Sequence, residues 1–252
     1  MWKIVVCAFA VASVWPCVQS APRIVNGTSV DIEDYPWMAS IQFEDGHKCG
    51  GVIISETWVL TCAECVQKFD PSYYFVRVGT SIRDTGGILY NVTKTAHNSH
   101  YSSTSMDYDI GAAQILGTFT FNEKIQQPIP LTTVEPEAGT LVSITGWGTV
   151  YSGSYLADQL QMVELYIVDR DVCNDAYDGL GKVSVRKICA WWPGGGRDRC
   201  GPDYGGPMVL DGVLVGVISS WGNGCALPGW PSVYANIANA DIRQWINDTT
   251  GV

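Results

Sequence analysis

The sequence predicts an all-β fold. Short apolar runs that tend to alternate with polar residues recur between Gly, Asp and Asn along most of the chain, a pattern typical of many short strands. Only two segments have helical spacing, and 46% hydrophobic against 16% charged residues is enough for a substantial core. At 252 residues we expect one compact unit or two closely packed halves, built as a barrel or a sandwich.

The first twenty residues have the composition of a secretory signal. Lys3 precedes an apolar run from Ile4 to Trp15, and small residues follow before Ala21. The run is too short to span a bilayer, and no other stretch of the chain is long enough. We therefore expect residues 1–20 to be removed and the mature protein to be exported, without a membrane segment.

The mature chain is strongly acidic. Loss of Lys3 with the signal leaves 14 basic against 25 acidic side chains, a net charge of −11. Such a charge disfavours nucleic acid as a partner. No metal or cofactor motif is recognisable, so we expect none.

Two sets of six apolar runs are predicted as strands. The first set is Trp37–Ile41, Gly51–Ile54, Trp58–Leu60, Tyr74–Val78, Leu89–Val92 and Ile110–Ile115, and the second is Leu141–Ile144, Gln159–Leu165, Lys187–Cys189, Pro207–Leu210, Leu214–Ile218 and Ser232–Tyr234. Helices are predicted near Asp171–Tyr177 and from about Asp241 to Asp248. In the second helix Ile242, Trp245 and Ile246 share a face that we expect to pack on the core.

A glycine-rich turn between two strands presents Tyr204. The segment Cys200-Gly-Pro-Asp-Tyr-Gly-Gly-Pro207 resembles the nucleophile loop of the trypsin/chymotrypsin family of serine proteases. In that family the position of Tyr204 holds the attacking serine. Pro202 stands where the family has a glycine whose N–H helps to hold the oxyanion, and proline has no N–H to donate.

The same resemblance extends to the other catalytic positions. Trp58–Cys65 resembles the segment that carries the general-base histidine, and Glu64 stands in its place; Asp107–Gly111 resembles the segment of the orienting aspartate, kept as Asp109. Hydrolysis by this route needs a nucleophile, a base and a group that orients the base, and only the third remains. The resemblance therefore implies an inactive member of the family.

None of the three histidines is an obvious substitute for the missing general base. His47, His97 and His100 are expected as surface or cleft-rim side chains, since isolated histidines are more often polar surface residues than catalysts.

The resemblance covers residues 24–252 and implies the domain organisation. It implies two packed six-stranded antiparallel β-barrels with a C-terminal α-helix and a cleft between the barrels. Residues 21–23 would form a short propeptide, and cleavage after Arg23 would free an Ile24 N-terminus that pairs with Asp203. The alternative is that Arg23 is an incidental basic residue.

Seven cysteines remain after the signal, an odd number for an exported chain. The resemblance implies the disulfides Cys49–Cys65, Cys173–Cys189 and Cys200–Cys225. Cys62 is then left over in an apolar run, and we expect a buried inert thiol in preference to a reactive or intermolecular one.

The specificity pocket also departs from the family. Asp198 falls where trypsin-like members carry the aspartate that binds Lys or Arg, but Arg199 follows it and can cancel its attraction for a basic substrate. The resemblance places Ser220, Gly222 and Gly224 in the pocket walls, and Ser232 where the family usually has glycine. We expect a narrowed or plugged pocket.

The sequence gives less support to other chemistries for these residues. A tyrosine nucleophile with a glutamate occurs in sialidases, but this region supplies only Arg197 and Arg199 to hold an acidic sugar. Glu64 and Asp109 could ligate a hard cation, yet no further ligand is identifiable, and Glu64 turned toward solvent is the simpler interpretation.

Three sequons occur in the chain, at Asn26, Asn91 and Asn247. We expect glycosylation at Asn91 more than at Asn26, whose neighbours must insert on maturation. At the edge of the pocket, Trp191 and Trp192 are either exposed anchors for a partner or packed inside.

The departures from the family pattern predict a binding protein. Among inactive members the chain most resembles the scabies mite inactivated serine protease paralogues, relatives of the group 3 mite allergens. That resemblance implies a gut-secreted, monomeric protein that binds host serum complement components and inhibits complement activation. The alternatives are a cofactor or decoy in a protease or immune cascade, and residual serine endopeptidase activity.

Overall fold

The computed structural model describes residues 26–44, 46–122, 126–149, 155–179, 183–201, 203–219 and 225–252. The signal (1–20), the propeptide (21–23) and Ile24 lie outside these ranges, as do Pro202 and three of the pocket residues, Ser220, Gly222 and Gly224.

Strands dominate the described residues. They are β1 (Thr28–Ser29), β2 (Met38–Phe43), β3 (Gly46–Ile53), β4 (Trp58–Thr61), β5 (Phe75–Val78), β6 (Ile88–His97), β7 (Gly111–Ile115), β8 (Leu141–Gly146), β9 (Gln161–Val168), β10 (Lys187–Trp191), β11 (Pro207–Leu210), β12 (Val213–Ile218) and β13 (Ser232–Asn236). The helices are α1 (Ala63–Val66), α2 (Arg170–Ala176) and α3 (Ala240–Thr250), with 3₁₀ turns at Ile32–Asp34 and Pro71–Tyr73. Each of the predicted strands and both predicted helices are confirmed, with shifted ends.

The first barrel closes in the order β2-β3-β4-β7-β6-β5, and β5 returns to pair with β2. All of its pairings are antiparallel. In β5 the side chains alternate between buried and half-buried, so Val76 and Val78 face the interior. There they pack with Ile41, Ile53 and Val59 in one apolar cluster.

The second barrel is formed by β8 to β13. Its strands follow the order β9-β10-β13-β12-β11-β8, and β8 closes the ring by pairing with β9, while β1 adds to the outer edge of β9. Its interior is filled by apolar side chains that include Ile144, Leu165 and Tyr234. The two closed six-stranded antiparallel barrels confirm the expected fold.

A third apolar cluster joins the two barrels and receives the C-terminal helix. Leu60 of the first barrel and Val217 of the second pack in it together with Ile242 and Ile246 of α3, and Trp245 packs against its edge. The helix begins where the Asn239 side chain accepts hydrogen bonds from the N–H groups of Asp241 and Ile242. The predicted core face of this helix is confirmed, and it fixes the relative position of the barrels.

The three disulfides form as the resemblance implies: Cys49–Cys65, Cys173–Cys189 and Cys200–Cys225. Cys62 is the free cysteine of the described residues and is fully buried. None of the helices in the described ranges has the length and apolar character that crossing a membrane requires.

Candidate functional site

The retained aspartate lies between the two barrels. One carboxylate oxygen of Asp109 accepts hydrogen bonds from the N–H groups of Ala63 (2.9 Å) and Glu64 (3.4 Å), at the start of α1. The other oxygen accepts a 2.6 Å hydrogen bond from the hydroxyl of Ser219, which follows β12. Asp109 is buried and is therefore held in one orientation by donors from both halves of the protein.

Glu64 occupies the first turn of α1, a helix that the sequence did not predict. Its side chain is about one-third exposed and forms an ion pair of 3.9 Å with Lys68, one helical turn further on. A surface pair of this kind contributes little stability. The carboxylate thus points toward solvent, as the simpler interpretation of Glu64 expects.

Tyr204 lies where the two barrels meet. Its half-buried ring packs against the apolar clusters of both barrels, and its carbonyl accepts a 2.8 Å hydrogen bond from the N–H of Gly50. The next residue, Gly205, has φ of +81°, and a Cβ there would lie 2.0 Å from Oγ1 of Thr61. Only glycine fits at this point, so the turn that carries Tyr204 is fixed against the first barrel.

Tyr204 and Glu64 line one pocket of about 690 Å³, which we call the aromatic pocket. Its other lining residues are Phe43, Glu44, Lys48, Cys49, Cys65, Lys68, Phe69 and Tyr74. The rings of Phe43 and Phe69 lie 4.6 Å apart, and Phe69 remains 53% exposed. The structure therefore brings together the three positions Glu64, Asp109 and Tyr204, although only two of them face this pocket.

The position of His47 differs from the sequence prediction. His47 is buried on β3, where Oγ of Ser40 lies 2.7 Å from its Nδ1 and the ring of Trp147 packs edge-on at 5.6 Å. The surface expectation for this residue was wrong because β3 turns it into the space between the barrels. His97 and His100 are exposed, as expected.

Asp198, which the resemblance places in the specificity pocket, is almost completely buried. Its carboxylate accepts hydrogen bonds from the Ser232 hydroxyl (2.6 Å) and from the N–H groups of Arg199 (2.8 Å) and Ala226 (3.0 Å). Burial raises the pKa of Asp198, and the Arg199 guanidinium and the Ser232 hydroxyl oppose that rise. Ser232 therefore occupies an oxygen of Asp198 that a bound ligand would otherwise use.

Arg199 is also buried in this region, with 7% of its surface exposed. Its Nη2 donates a 3.1 Å hydrogen bond to the carbonyl of Ser219, and its Cζ lies 5.4 Å from the centre of the Tyr204 ring. The chain thus places its own guanidinium close to both the Asp198 carboxylate and the Tyr204 ring.

Trp191 and Trp192, which the resemblance places at the edge of this pocket, are half-buried, between the two alternatives that the sequence left open. The ring of Trp192 packs against the tilted ring of Tyr166, at 5.4 Å, and lies 4.0 Å from the guanidinium of Arg197. Trp191 packs against the small cluster around the Cys173–Cys189 disulfide. Each ring leaves only part of its surface available to a partner.

Asp203 is the buried carboxylate expected to receive the new N-terminus. It accepts hydrogen bonds from the N–H groups of Gly148 (2.6 Å) and Cys200 (3.4 Å), and a Cβ on Gly148 would lie 2.1 Å from its Oδ2. Burial raises the pKa of Asp203 to about 7, although these two N–H groups and Arg199 oppose the rise. The carboxylate is therefore costly to ionise unless a cation joins it.

This burial predicts a pH dependence for the uncleaved chain. The pKa of Asp203 is raised from 3.8 to about 7 on folding, so the free energy of unfolding should fall as the pH rises from about 4 to about 7, by at most about 4 kcal/mol. An Ile24 ammonium freed by cleavage would remove this loss. The measurement is urea unfolding of an Arg23→Gln precursor at several pH values, with Asp203→Asn as the matched control. If the stability of the Asp203→Asn control changes with pH as much as that of the Arg23→Gln precursor, Asp203 is not the group that titrates.

The three sequons have different surroundings. Nδ2 of Asn26 donates a 2.7 Å hydrogen bond to the carbonyl of Gly196, so a glycan on that nitrogen would compete with a contact of the fold. Asn91 on β6 and Asn247 on α3 are exposed. Preferred glycosylation at Asn91 over Asn26 stays a prediction.

Ser219 is a site residue that sequence reasoning missed. It binds Asp109 through its hydroxyl and Arg199 through its carbonyl, and so connects the aspartate to the pocket. The aromatic pocket was missed as well, because Phe43 and Phe69 are far apart in sequence and only the closed barrel brings them together. No local pattern in the sequence distinguishes either.

Comparisons with known proteins agree with this geometry. The sequence profile described as Trypsin matches residues 24–246. Similar relatives include Trypsin delta of Drosophila melanogaster, 38% identical over 89% of this chain and 87% of the relative, and Trypsin 5G1 of Aedes aegypti, 34% identical over 94% and 89%. Hypodermin-B of Hypoderma lineatum is 37% identical over 98% of both chains. Among solved structures, neuropsin, a serine protease expressed in the limbic system of mouse brain, matches with a TM-score of 0.80 and 29% identity over 89% of this chain and 98% of its own.

Proposed function

The chain belongs to the trypsin family of serine proteases, and from its altered catalytic positions we propose that it is a non-catalytic member that acts by binding another protein. The position of Tyr204 carries this proposal. Its ring packs between the cores of the two barrels, in the turn where the family's serine stands. The base position beside this phenol holds Glu64, whose side chain pairs with Lys68, in place of the histidine that activates the family's nucleophile.

The specificity pocket supports the same conclusion. Arg199 and Ser232 both interact with Asp198, and Arg199 lies close to the Tyr204 ring. A basic substrate side chain would have to displace a buried guanidinium before it could reach the carboxylate. Pro202, which has no N–H, removes an oxyanion donor as well. The ancestral cleft is thus unsuited to bind a peptide for cleavage.

The proposed partner is a host serum protein, specifically a component of complement, whose activation the protein would inhibit. This choice follows from the resemblance to the scabies mite inactivated paralogues, together with an expected monomeric protein secreted into the digestive tract. The acidic mature chain would attract basic patches on such a partner, and that attraction weakens with salt. A cofactor or decoy in another protease cascade would use the same kind of binding surface.

Two exposed patches can serve as the contact surface. One is the pocket edge with Trp191 and Trp192, each partly available. The other is the outer face beside the aromatic pocket formed by Phe69 and Tyr73, which both pack against Phe43 and are 53% and 46% exposed. Aromatic side chains with exposed faces are common anchors in protein interfaces.

The test is a titration of the mature protein against an isolated complement recognition component. We expect salt-sensitive binding that Tyr204→Ser leaves intact and that either Trp191→Ala/Trp192→Ala or Phe69→Ala weakens about tenfold or more. If binding is lost only in Tyr204→Ser, the interface lies in the ancestral cleft between the barrels, and the proposal of binding through the outer surface is wrong. No binding by the wild-type protein would rule out complement as the partner, and a pull-down from serum would then identify the partner directly.

A further inference from the structure

Three cysteines meet below the aromatic pocket, although only two of them form a disulfide. The sulfur atoms of Cys49, Cys62 and Cys65 all lie within 4.8 Å of one another. Cys49 and Cys65 are bonded, and Sγ of the free Cys62 lies 3.0 Å from Sγ of Cys65. A thiol is therefore in direct contact with a disulfide sulfur, which is the arrangement from which thiol–disulfide exchange begins.

The chain geometry also permits the alternative bond. Cys62 and Cys65 form a C-x-x-C segment at the start of α1, and the N–H of Cys65 donates a 3.3 Å hydrogen bond to the carbonyl of Cys62. That hydrogen bond closes a turn, in which the first and fourth Cα atoms lie within about 7 Å. Disulfides span Cα distances of about 4.4 to 6.8 Å, so Cys65 can pair with Cys62 with little movement of the backbone.

We propose that Cys49, Cys62 and Cys65 form a thiol–disulfide exchange site that presents the thiol of Cys49 to the aromatic pocket. The Cys62 thiolate attacks Sγ of Cys65, the Cys62–Cys65 bond forms, and the Cys49–Cys65 bond breaks with its electron pair on Cys49. The proton lost by Cys62 is balanced by the one that Cys49 can take up. No external oxidant or reductant is consumed.

The released thiol has access to a ligand site. Cys49 and Cys65 both line the aromatic pocket, together with two lysines (Lys48 and Lys68) and two glutamates (Glu44 and Glu64), whereas Cys62 is fully buried. Lys68 pairs with Glu64, which leaves Lys48 and Glu44 as opposing influences on a Cys49 thiolate, and the access that the pocket gives is what makes this thiol reactive. A Cys49 thiolate can therefore attack a disulfide that enters the pocket, forming a mixed disulfide and releasing the other half as a thiolate. The ligand class is a disulfide or another thiol-reactive electrophile.

The burial of Cys62 governs the rate of exchange. Burial and the charge of Asp109 raise the pKa of Cys62 well above its ordinary value, so few molecules hold the attacking thiolate at neutral pH. The fixed contact with Cys65 partly compensates, because a reaction within one molecule needs no encounter. Exchange should accelerate about tenfold per pH unit below the thiol pKa.

Alkylation of the native wild-type protein with iodoacetamide, followed by peptide mapping, tests the exchange directly. We expect the label on Cys49 and a Cys62–Cys65 disulfide, with labelling faster at higher pH. Label on Cys62, or no label on the native protein even at alkaline pH, would overturn the proposal.

Two matched variants separate exchange from simple exposure. Cys62→Ser retains the Cys49–Cys65 disulfide and should take no label, so labelling of this variant would contradict the mechanism. Cys49→Ser leaves Cys62 and Cys65 to pair with each other, so a thiol count of the intact, folded variant should find no free thiol. Two free thiols in folded Cys49→Ser would show that the alternative bond cannot form.

Incubation of wild type with oxidised glutathione should give a mixed disulfide on Cys49 that Cys62→Ser does not form.

Discussion

Replacement of Tyr204 by serine alone is expected to leave the protein without measurable peptidase turnover. The base position would still hold Glu64, which pairs with Lys68, in place of a histidine, and Pro202 would still withhold an oxyanion donor. Loss of the serine or histidine from such a triad costs on the order of 10⁶ in turnover, and loss of an oxyanion donor costs about 10² to 10³. Because the triad acts as a unit, restoring one member recovers almost nothing.

The combined variant Tyr204→Ser/Glu64→His/Pro202→Gly is expected to regain weak hydrolysis. The orienting group needs no repair, because Asp109 is already held by the N–H groups of Ala63 and Glu64 and by the Ser219 hydroxyl. Turnover of fluorogenic peptides and labelling by a serine-directed phosphonate are the measurements. Activity in the single Tyr204→Ser variant would contradict the account of Glu64 and Pro202.

Replacement of Arg199 by alanine is expected to destabilise the protein by about 3 to 5 kcal/mol at neutral pH. Removing one member of a buried pair of opposite charges leaves the other uncompensated, and here the remaining charge is Asp198. The pKa of Asp198 is already raised by burial, so the variant should recover stability relative to wild type as the pH falls and this carboxyl takes up a proton. Urea unfolding measures both effects.

A double variant and a ligand separate charge from packing in this prediction. Arg199→Ala/Asp198→Asn should recover much of the lost stability, because the buried carboxylate of Asp198 is removed together with the guanidinium that compensates it. Arg199→Ala alone should open space beside Asp198, so that a benzamidine probe binds more tightly than to wild type. Equal stability of the single and double variants, or tight benzamidine binding by wild type, would show that Arg199 does not occupy the pocket.

The fold was largely predictable because its signals are local. Alternating runs such as Phe75–Val78 bury every second side chain, and the helical spacing of Ile242 and Ile246 marks a core face. The helix α1 was missed because only four residues form it, too few to show a period. The strand β1 has two residues and depends entirely on its partner β9.

The site was predictable at the positions that a motif defines and not at those that tertiary contacts define. The resemblance located Glu64, Asp109, Asp198 and Tyr204. It did not indicate that His47 is buried against Ser40, nor that the free cysteine touches a disulfide. These contacts depend on the register of β2 against β3 and on the disulfide that joins β3 to α1, which sequence spacing does not determine.

Peptidase turnover by the purified mature wild-type protein, measured beside Tyr204→Phe on a broad set of fluorogenic peptides, tests the absence of catalysis most directly. The phenylalanine variant keeps the ring that packs between the barrels and removes only the hydroxyl. We predict no turnover from either protein. Turnover by wild type that disappears in Tyr204→Phe would show that Tyr204 is a working nucleophile and would contradict the proposal of a binding protein.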